Sequence, residues 1–441
     1  MKIKLVTFWD SVRCSFWFVP ASLTLGAILL SVLTLSLDSA FKSTAAQPTA
    51  WLFYAGGPEG ARTLLTMLAT SMLTIFGVVF SIVIVALTLA SSQFGPRLIR
   101  TFLSDTIDQL AVGTFISTFV YCLLVTRTVS GERTDAFVPH LSVTMAIVLA
   151  LLSLGVLIHF INHLSTSLQA SYIIATVGAD LKRTIDIELP ERNQVAPDVT
   201  PVEYAELFAT ATVPVAASSD GYIQAIDYDE LVHLAEREAI VIRLTVCAGD
   251  FLVHGDEVAR ISETASRTED LTRKLNAALI VGVDRTHEQD IEYPINQLVQ
   301  LAIRALSPAI NDPITAIIAI EQLRAGLCCI AERAAPSSII RDSQGAMRLL
   351  VKRQTATHNV EMVFSLIRQY GRGNLEVTMS LLDAIEQVSR RTTDEAFLYA
   401  LLYQATQIGN GARSALPEEA DCKQVAERFQ RAIAALQLRR P

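Results

Sequence analysis

The chain has 441 residues, an apolar share of 51% and a formal net charge of −8, more apolar than the roughly 45–50% usual for soluble domains. Nearly all of the excess lies before about residue 175, which divides the chain into a membrane half and an aqueous half. The acidic balance, with no Lys/Arg-rich block or basic–aromatic interleaving in the aqueous half, argues against a nucleic-acid partner.

Between Arg13 and Asp38 there is no charged residue, and a run of that length crosses a hydrocarbon core of about 30 Å at about 1.5 Å per residue. It is read as the first span, because its apolar core is too long for the h-region of a signal peptide. Further spans are expected from Leu64 to about Ala90, from Leu110 to Thr126 and from about Ala136 to Ile158, which puts both termini on one side. Charged residues inside the spans are absent, so a proton relay or voltage sensor is not expected. Lys2, Lys4, Arg13, Arg97, Arg100, Lys182 and Arg183 lie on the side of the termini, against Lys42, Arg62, Arg127 and Arg133 on the other. That bias places the termini in the cytoplasm, with the inner membrane of a bacterium as the expected location.

Small residues recur at four-residue spacing: Gly77 and Ser81, Ala86 and Ala90, Gly113 and Ser117, then Ser142, Ala146 and Ala150. Such stripes let helix backbones approach closely. Gly77, Ser81, Gly113 and Ser117 are therefore candidate pore-lining or helix-packing residues, in a homo-oligomer if they line a pore. In SSQFGPRLIR, Gly95 and Pro96 read as a helix stop and Arg97 and Arg100 as headgroup contacts. His159 and His163 share one helix face, yet no motif supplies the third ligand that a metal would need. No cofactor is expected. The six cysteines, Cys14, Cys122, Cys247, Cys328, Cys329 and Cys422, form no C-x-x-C pair, which argues against a disulfide framework or a zinc site and fits reduced thiols.

Helical periodicity continues from Ser165 to Arg183 and is read as a rigid stalk, followed by the linker ERNQVAPDVTP. From Gly221 to Ile261, β-rich runs flank a short helix that Asp227 or Asp229 can cap, with Gly249-Asp250 and Gly255-Asp256 as turns. The spacing from Gly249 to Val258 resembles the half-motif of lipoyl and biotinyl-type barrels, but no lysine occurs between Gly221 and Ile261 to carry a group. A strand then ends at Asp284 to Asp290, and a helix runs from Ile295. In RALSPAINDPITA, residues 304 to 316, two prolines imply two helices meeting at a fixed corner. Asn311 or Asp312 is expected to cap the second helix, with Pro313 in its first turn. After residue 340 amphipathic helices are expected around 345 to 369, 375 to 391, 393 to 410 and 418 to 438.

SSQFGPRLIR, GTFISTFVYCLLVTRTV, GDFLVHGD and RTHEQDIEYPINQLVQLAIRALSPAINDP together resemble an uncharacterised bacterial family of predicted membrane proteins, domain of unknown function 2254. The resemblance runs from the first span to about residue 330. It implies a multi-pass topology and no established reaction.

The expected architecture is a multi-pass α-helical membrane protein, with four transmembrane helices and a cytosolic α+β domain made of a small β-module followed by a helical bundle. The boundaries are 1–164 for the transmembrane domain, 165–200 for stalk and linker, 201–292 for the β-rich module and 293–441 for the helical domain. No Walker loop, nucleophile elbow, H-E-x-x-H or dinucleotide fingerprint occurs, and no enzyme activity is expected. Arg285, Gln289, Asp290, Arg304, Asn311 and Asp312 form the best polar cluster. It reads either as a hydrogen-bonded network, with Arg285 or Arg304 paired to Asp290 or Asp312, or as a site for a small-molecule or ion ligand. Two functions fit the whole: an oligomeric channel or transporter for a small solute regulated by its cytosolic domain, and a non-transporting membrane-anchored sensor or scaffold. The lipid bilayer is the one partner common to both.

Overall fold

Long apolar runs have only two ways to satisfy their backbone in lipid, and this chain uses the helix. The structure is a computed structural model that describes residues 17–43, 54–94, 106–129, 137–192, 212–262 and 269–438. It divides into two compact units, Met1–Gln169 and Ala170–Pro441. Gly95, Pro96, Arg97, Arg100, Lys2, Lys4, Arg13, Cys14, Arg133 and most of the expected linker lie outside the described residues.

Among the described residues the first unit holds four long helices: α1 (Phe18–Ser43), α2 (Pro58–Phe94), α3 (Thr106–Thr128) and α4 (His140–Ser167). Each contains one of the expected spans or most of it. Helix α3 is central, packing against α1, α2 and α4; 50% of its most apolar window is buried inside the unit, against 22% for each of the other three. Gly113 shows why α3 can take that place. A Cβ there would lie 2.9 Å from Pro20 Cα and 2.8 Å from Leu23 Cδ1, so α1 and α3 cross at backbone contact.

The first span, read from the sequence as ending at Asp38, runs on through it. Asp38 is buried, and its carboxylate accepts hydrogen bonds from the amides of Leu141 and Ser142, each at 2.9 Å, and from the Ser142 hydroxyl at 2.7 Å. The local N-cap of α4 is Pro139, which makes no side-chain cap bond. Asp38 thus caps α4 from a neighbouring helix, where orphan amides and the positive end of the dipole stabilise a carboxylate. An acidic residue does sit within the span helices, in a capping role.

The second unit begins with α5 (Ala170–Glu188). The expected stalk is not one continuous helix: α4 closes at Leu168, and α5 is a separate helix whose buried face, Ile173, Ile174, Val177, Leu181 and Ile185, packs on α8 (Glu292–Ala305) and α9 (Pro313–Glu332). A free stalk and a core helix share the same periodicity, so the sequence pattern does not separate them.

The β-module comprises β1 (Thr212–Ala216), β2 (Gly221–Ile226), β3 (Ile242–Leu244), β4 (Phe251–Leu252), β5 (Glu257–Ser262) and β6 (Leu279–Gly282), with α6 (Tyr228–Arg237) and α7 (Glu269–Ala278) between strands. Asp227 caps α6 by accepting from the Glu230 amide. Two turns repeat the same bonding six residues apart. Asp250 Oδ2 accepts from the Cys247 amide at 3.0 Å and Asp256 Oδ2 from the Val253 amide at 2.9 Å, while Gly249 and Gly255 take φ of +91° and +95°.

Residues 339 to 350 depart from the expected helix. The helix expected from 345 starts later, and this stretch forms a hairpin, β7 (Ile339–Arg341) and β8 (Met347–Leu350), around a turn in which Asp342 accepts from the Gln344 and Ala346 amides. Strand β8 runs parallel to β3, giving a five-stranded sheet β1-β5-β3-β8-β7 beside a three-stranded sheet β4-β2-β6. The two sheets share one apolar core with Leu231, Leu234, Leu271 and Leu275 from α6 and α7. The β-module therefore draws strands from both sides of α8 and α9.

Four more helices complete the unit: α10 (Ala356–Gly371), α11 (Leu375–Ser389), α12 (Glu395–Ala415) and α13 (Glu419–Gln437). Thr355, Asn374 and Asp394 cap the first three. Helix α9 is also long and apolar enough to cross a membrane, which makes five such helices among the described residues.

Candidate functional site

The six polar residues singled out from the sequence fall into two groups at opposite ends of α8, a helix of 14 residues and hence roughly 20 Å long. Arg285, Gln289 and Asp290 precede it; Arg304, Asn311 and Asp312 lie at its C-terminal end and beyond. They do not form one site, because a helix separates them.

At the first end Asp290 is fully buried. Arg285 grips it with Nε at 2.5 Å from Oδ2 and a terminal nitrogen at 3.1 Å from Oδ1, and the same nitrogen reaches Glu292 at 3.1 Å. The Glu292 amide and Gln354 Nε2 donate to Oδ1 at 3.1 and 3.2 Å. Gly249 presses on this pair: a Cβ there would meet Asp290 Oδ2 and stand 2.6 Å from an Arg285 nitrogen. Gln354 also donates to the Ala248 carbonyl at 3.4 Å, and Lys352 pairs with Asp250 at 2.9 Å. One buried carboxylate thus ties the 247–250 turn, the entry to α8 and the strand leaving β8 together. Gln289 closes the end of β2, accepting from the Ile226 amide at 2.8 Å and donating to its carbonyl at 3.3 Å.

Both oxygens of Asp290 accept from protein donors, so this end of α8 carries a hydrogen-bonded clasp. Burial pushes the nearby Cys247 thiol up to about 12, with the Asp250 charge adding to the effect, which leaves it unreactive at neutral pH. Of the pairings open from the sequence, Arg285 or Arg304 with Asp290 or Asp312, the structure makes Arg285–Asp290; Glu292, Gln354 and Gly249 were missed. Only the Gly249-Asp250 turn gave a local signal.

At the second end Asp312 caps α9, accepting from the Thr315 amide at 3.1 Å and its hydroxyl at 2.6 Å, with Pro313 in the first turn. These hydrogen bonds, the hydroxyl's first, hold its carboxyl below the usual range. Asn311 has φ of +49°, a left-handed value that Asn tolerates. Corner 304–316 is thus accounted for by capping. It presents Ile310 and Ile314 to the surface.

In the first unit the candidate pore or packing residues also separate. Gly113 is an internal helix contact and Ser117 is half-buried, its hydroxyl donating to the Thr114 carbonyl. Gly77 and Ser81 face outward. They belong to a longer row: Thr63, Thr70, Thr74, Gly77, Ser81 and Thr88 are all exposed, and at about 100° per residue they fall within an arc of about 60° on α2. Four-residue spacing alone does not pick out the threonines, because this row recurs at mixed spacings of three, four and seven. The buried interior of the unit holds Phe115, Tyr121 and Phe160, all fully enclosed.

His159 and His163 stack at 6.4 Å between ring centroids, and among the described residues no group of three or more His, Cys, Asp or Glu side chains could hold a metal ion.

Residues 13–387 match the family described as Predicted membrane protein (DUF2254). Uncharacterized proteins of Mycobacterium bovis and Mycobacterium tuberculosis are each 31% identical over 381 residues, covering 84% of this chain and 71% of theirs. No solved structure matches.

Proposed function

Since the chain belongs to the family of predicted membrane proteins with domain of unknown function 2254, we propose that it is an oligomeric inner-membrane channel or transporter for a small solute, regulated by its second unit. The observation that supports this reading is the row of hydroxyl and small residues on the outward face of α2. In a monomer that row faces lipid. Around a symmetry axis it would line a shared path, where hydroxyls can replace part of a solute's hydration shell. Thr63, Thr74 and Thr88 donate to carbonyls four residues back, so the row is tolerated in the bilayer before assembly.

In this reading α1 to α4 are the four spans and both termini are cytoplasmic. Helix α9 is a core helix of the cytosolic unit: it carries Glu321, Arg324 and Glu332, and helices α5, α8 and α11 pack around it. No catalytic step is involved.

The alternative is a non-transporting membrane-anchored sensor or scaffold. It is favoured by Phe115, Tyr121 and Phe160, which fill the interior of the four-helix unit among the described residues. Light scattering of the intact protein in mild detergent, corrected for bound detergent, separates the two. A defined trimer or larger ring is expected, with solute flux in vesicles that Ser81→Leu reduces at least tenfold. A monomer would overturn the channel reading in favour of the sensor.

A further inference from the structure

We propose that the second unit binds a small organic cation carrying N–H donors, an alkylammonium or guanidinium compound, in the groove between α10 and α12. The groove has a volume of about 1000 Å³, at the upper end of the roughly 300–1000 Å³ of small-molecule sites. Its chemistry is one-sided. Glu361 stands on the α10 wall and Glu395 on the α12 wall, and no Lys or Arg is among its lining residues. Neither carboxylate has an ion-pair partner among the described residues.

Tyr399 and Tyr403, one turn apart on α12, line the same wall and are 66% and 55% exposed. Two exposed aromatic side chains beside two carboxylates make a surface suited to a positive charge. The deciding feature is Gln404, which also lines the groove. It is only 3% exposed, its Nε2 donates to the Ser365 hydroxyl at 3.2 Å, and its Oε1 has no hydrogen-bond partner. A buried acceptor left unpaired is destabilising until something donates to it. The carboxylates fix the sign of the donor, because an anion presented to a turned amide would meet both of them. The N-termini of α10 and α12 are each capped, Thr355 accepting from the His358 amide and Asp394 from the Phe397 amide, and the Asp394 carboxylate adds a further negative charge there. His358 is turned toward Glu292, at 3.5 Å. The inference is independent of solute conduction and would hold equally for a sensor.

Calorimetry on the full-length protein in an uncharged maltoside detergent tests it with three probes: spermidine, tetramethylammonium and inorganic phosphate. Saturable spermidine binding is expected, weakened at least tenfold by Glu395→Gln and by Tyr399→Ala, both exposed positions that do not threaten the fold. Tetramethylammonium, which has charge but no N–H, should bind at least tenfold more weakly than spermidine. Absence of saturable spermidine heat, affinity unchanged by Glu395→Gln, equal affinity for tetramethylammonium, or saturation by phosphate instead would each overturn the proposal.

Discussion

Asp290 and Asp312 are both acidic residues beside α8, yet their surroundings assign them different work. Asp290 is a fully buried charge held by Arg285, Gln354 and a backbone amide, so its removal leaves a partly buried guanidinium without its main partner. Asp290→Ala is expected to destabilise the second unit by about 3 kcal/mol, the lower range for a broken buried pair, as a lowered Tm with the first unit still helical. Gly249→Ala should act in the same direction, because a Cβ there strikes the pair and the backbone sits at φ +91°. Asp312 is a surface cap, and Asp312→Ala should cost about 1 kcal/mol at neutral pH. Its folded carboxyl is depressed below 3.8. The contribution is therefore complete above that unfolded value and is lost as pH falls through the lower folded one. Melting curves of wild type and Asp312→Ala should differ at pH 7 and converge when the pH is taken well below 3.8; a gap unchanged in acid would refute the capping account.

Helix packing gives a sharper contrast between two glycines that look alike in sequence. Gly113→Leu should disrupt the first unit, since the added side chain collides with Pro20 and Leu23. A Cβ added at Gly77 meets no atom within 4 Å, so Gly77→Leu should leave the fold of one copy intact and change only its assembly, seen as a shifted mass in detergent with unchanged helicity. Helix α9 yields another test. Single cysteines at Ile310 and Gln344, flanking it, should be labelled from the same side of the membrane; labelling from opposite sides would make α9 a fifth span.

Much of this level was legible beforehand. The four long helices follow from uncharged apolar runs, and the 304–316 corner follows from Asp312 and Pro313, because capping is local chemistry. The β7–β8 hairpin was not legible as part of the sheet. Its partner β3 lies about a hundred residues earlier, and no local pattern encodes so distant a pairing. The same holds for the clasp: Arg285 and Asp290 are five residues apart, whereas Gln354 reaches Asp290 across 64 positions.

At the scale of the molecule, the proposed channel stands or falls with whether the outward row of α2 faces water in an oligomer. Among the described residues Phe115, Tyr121 and Phe160 fill the interior of the four-helix unit. The proposed conduction therefore calls for copies arranged around an axis, with α2 turned toward it. The most direct measurement is cysteine accessibility along α2 in membranes, using a charged, membrane-impermeant thiol reagent. Cysteines replacing Thr70, Thr74, Gly77, Ser81 and Thr88 are expected to react, while those replacing Ile82 and Leu89, exposed residues about 80–100° around the helix, stay unmodified. Protection of all seven positions would place the row in lipid or in a dry contact and contradict the account.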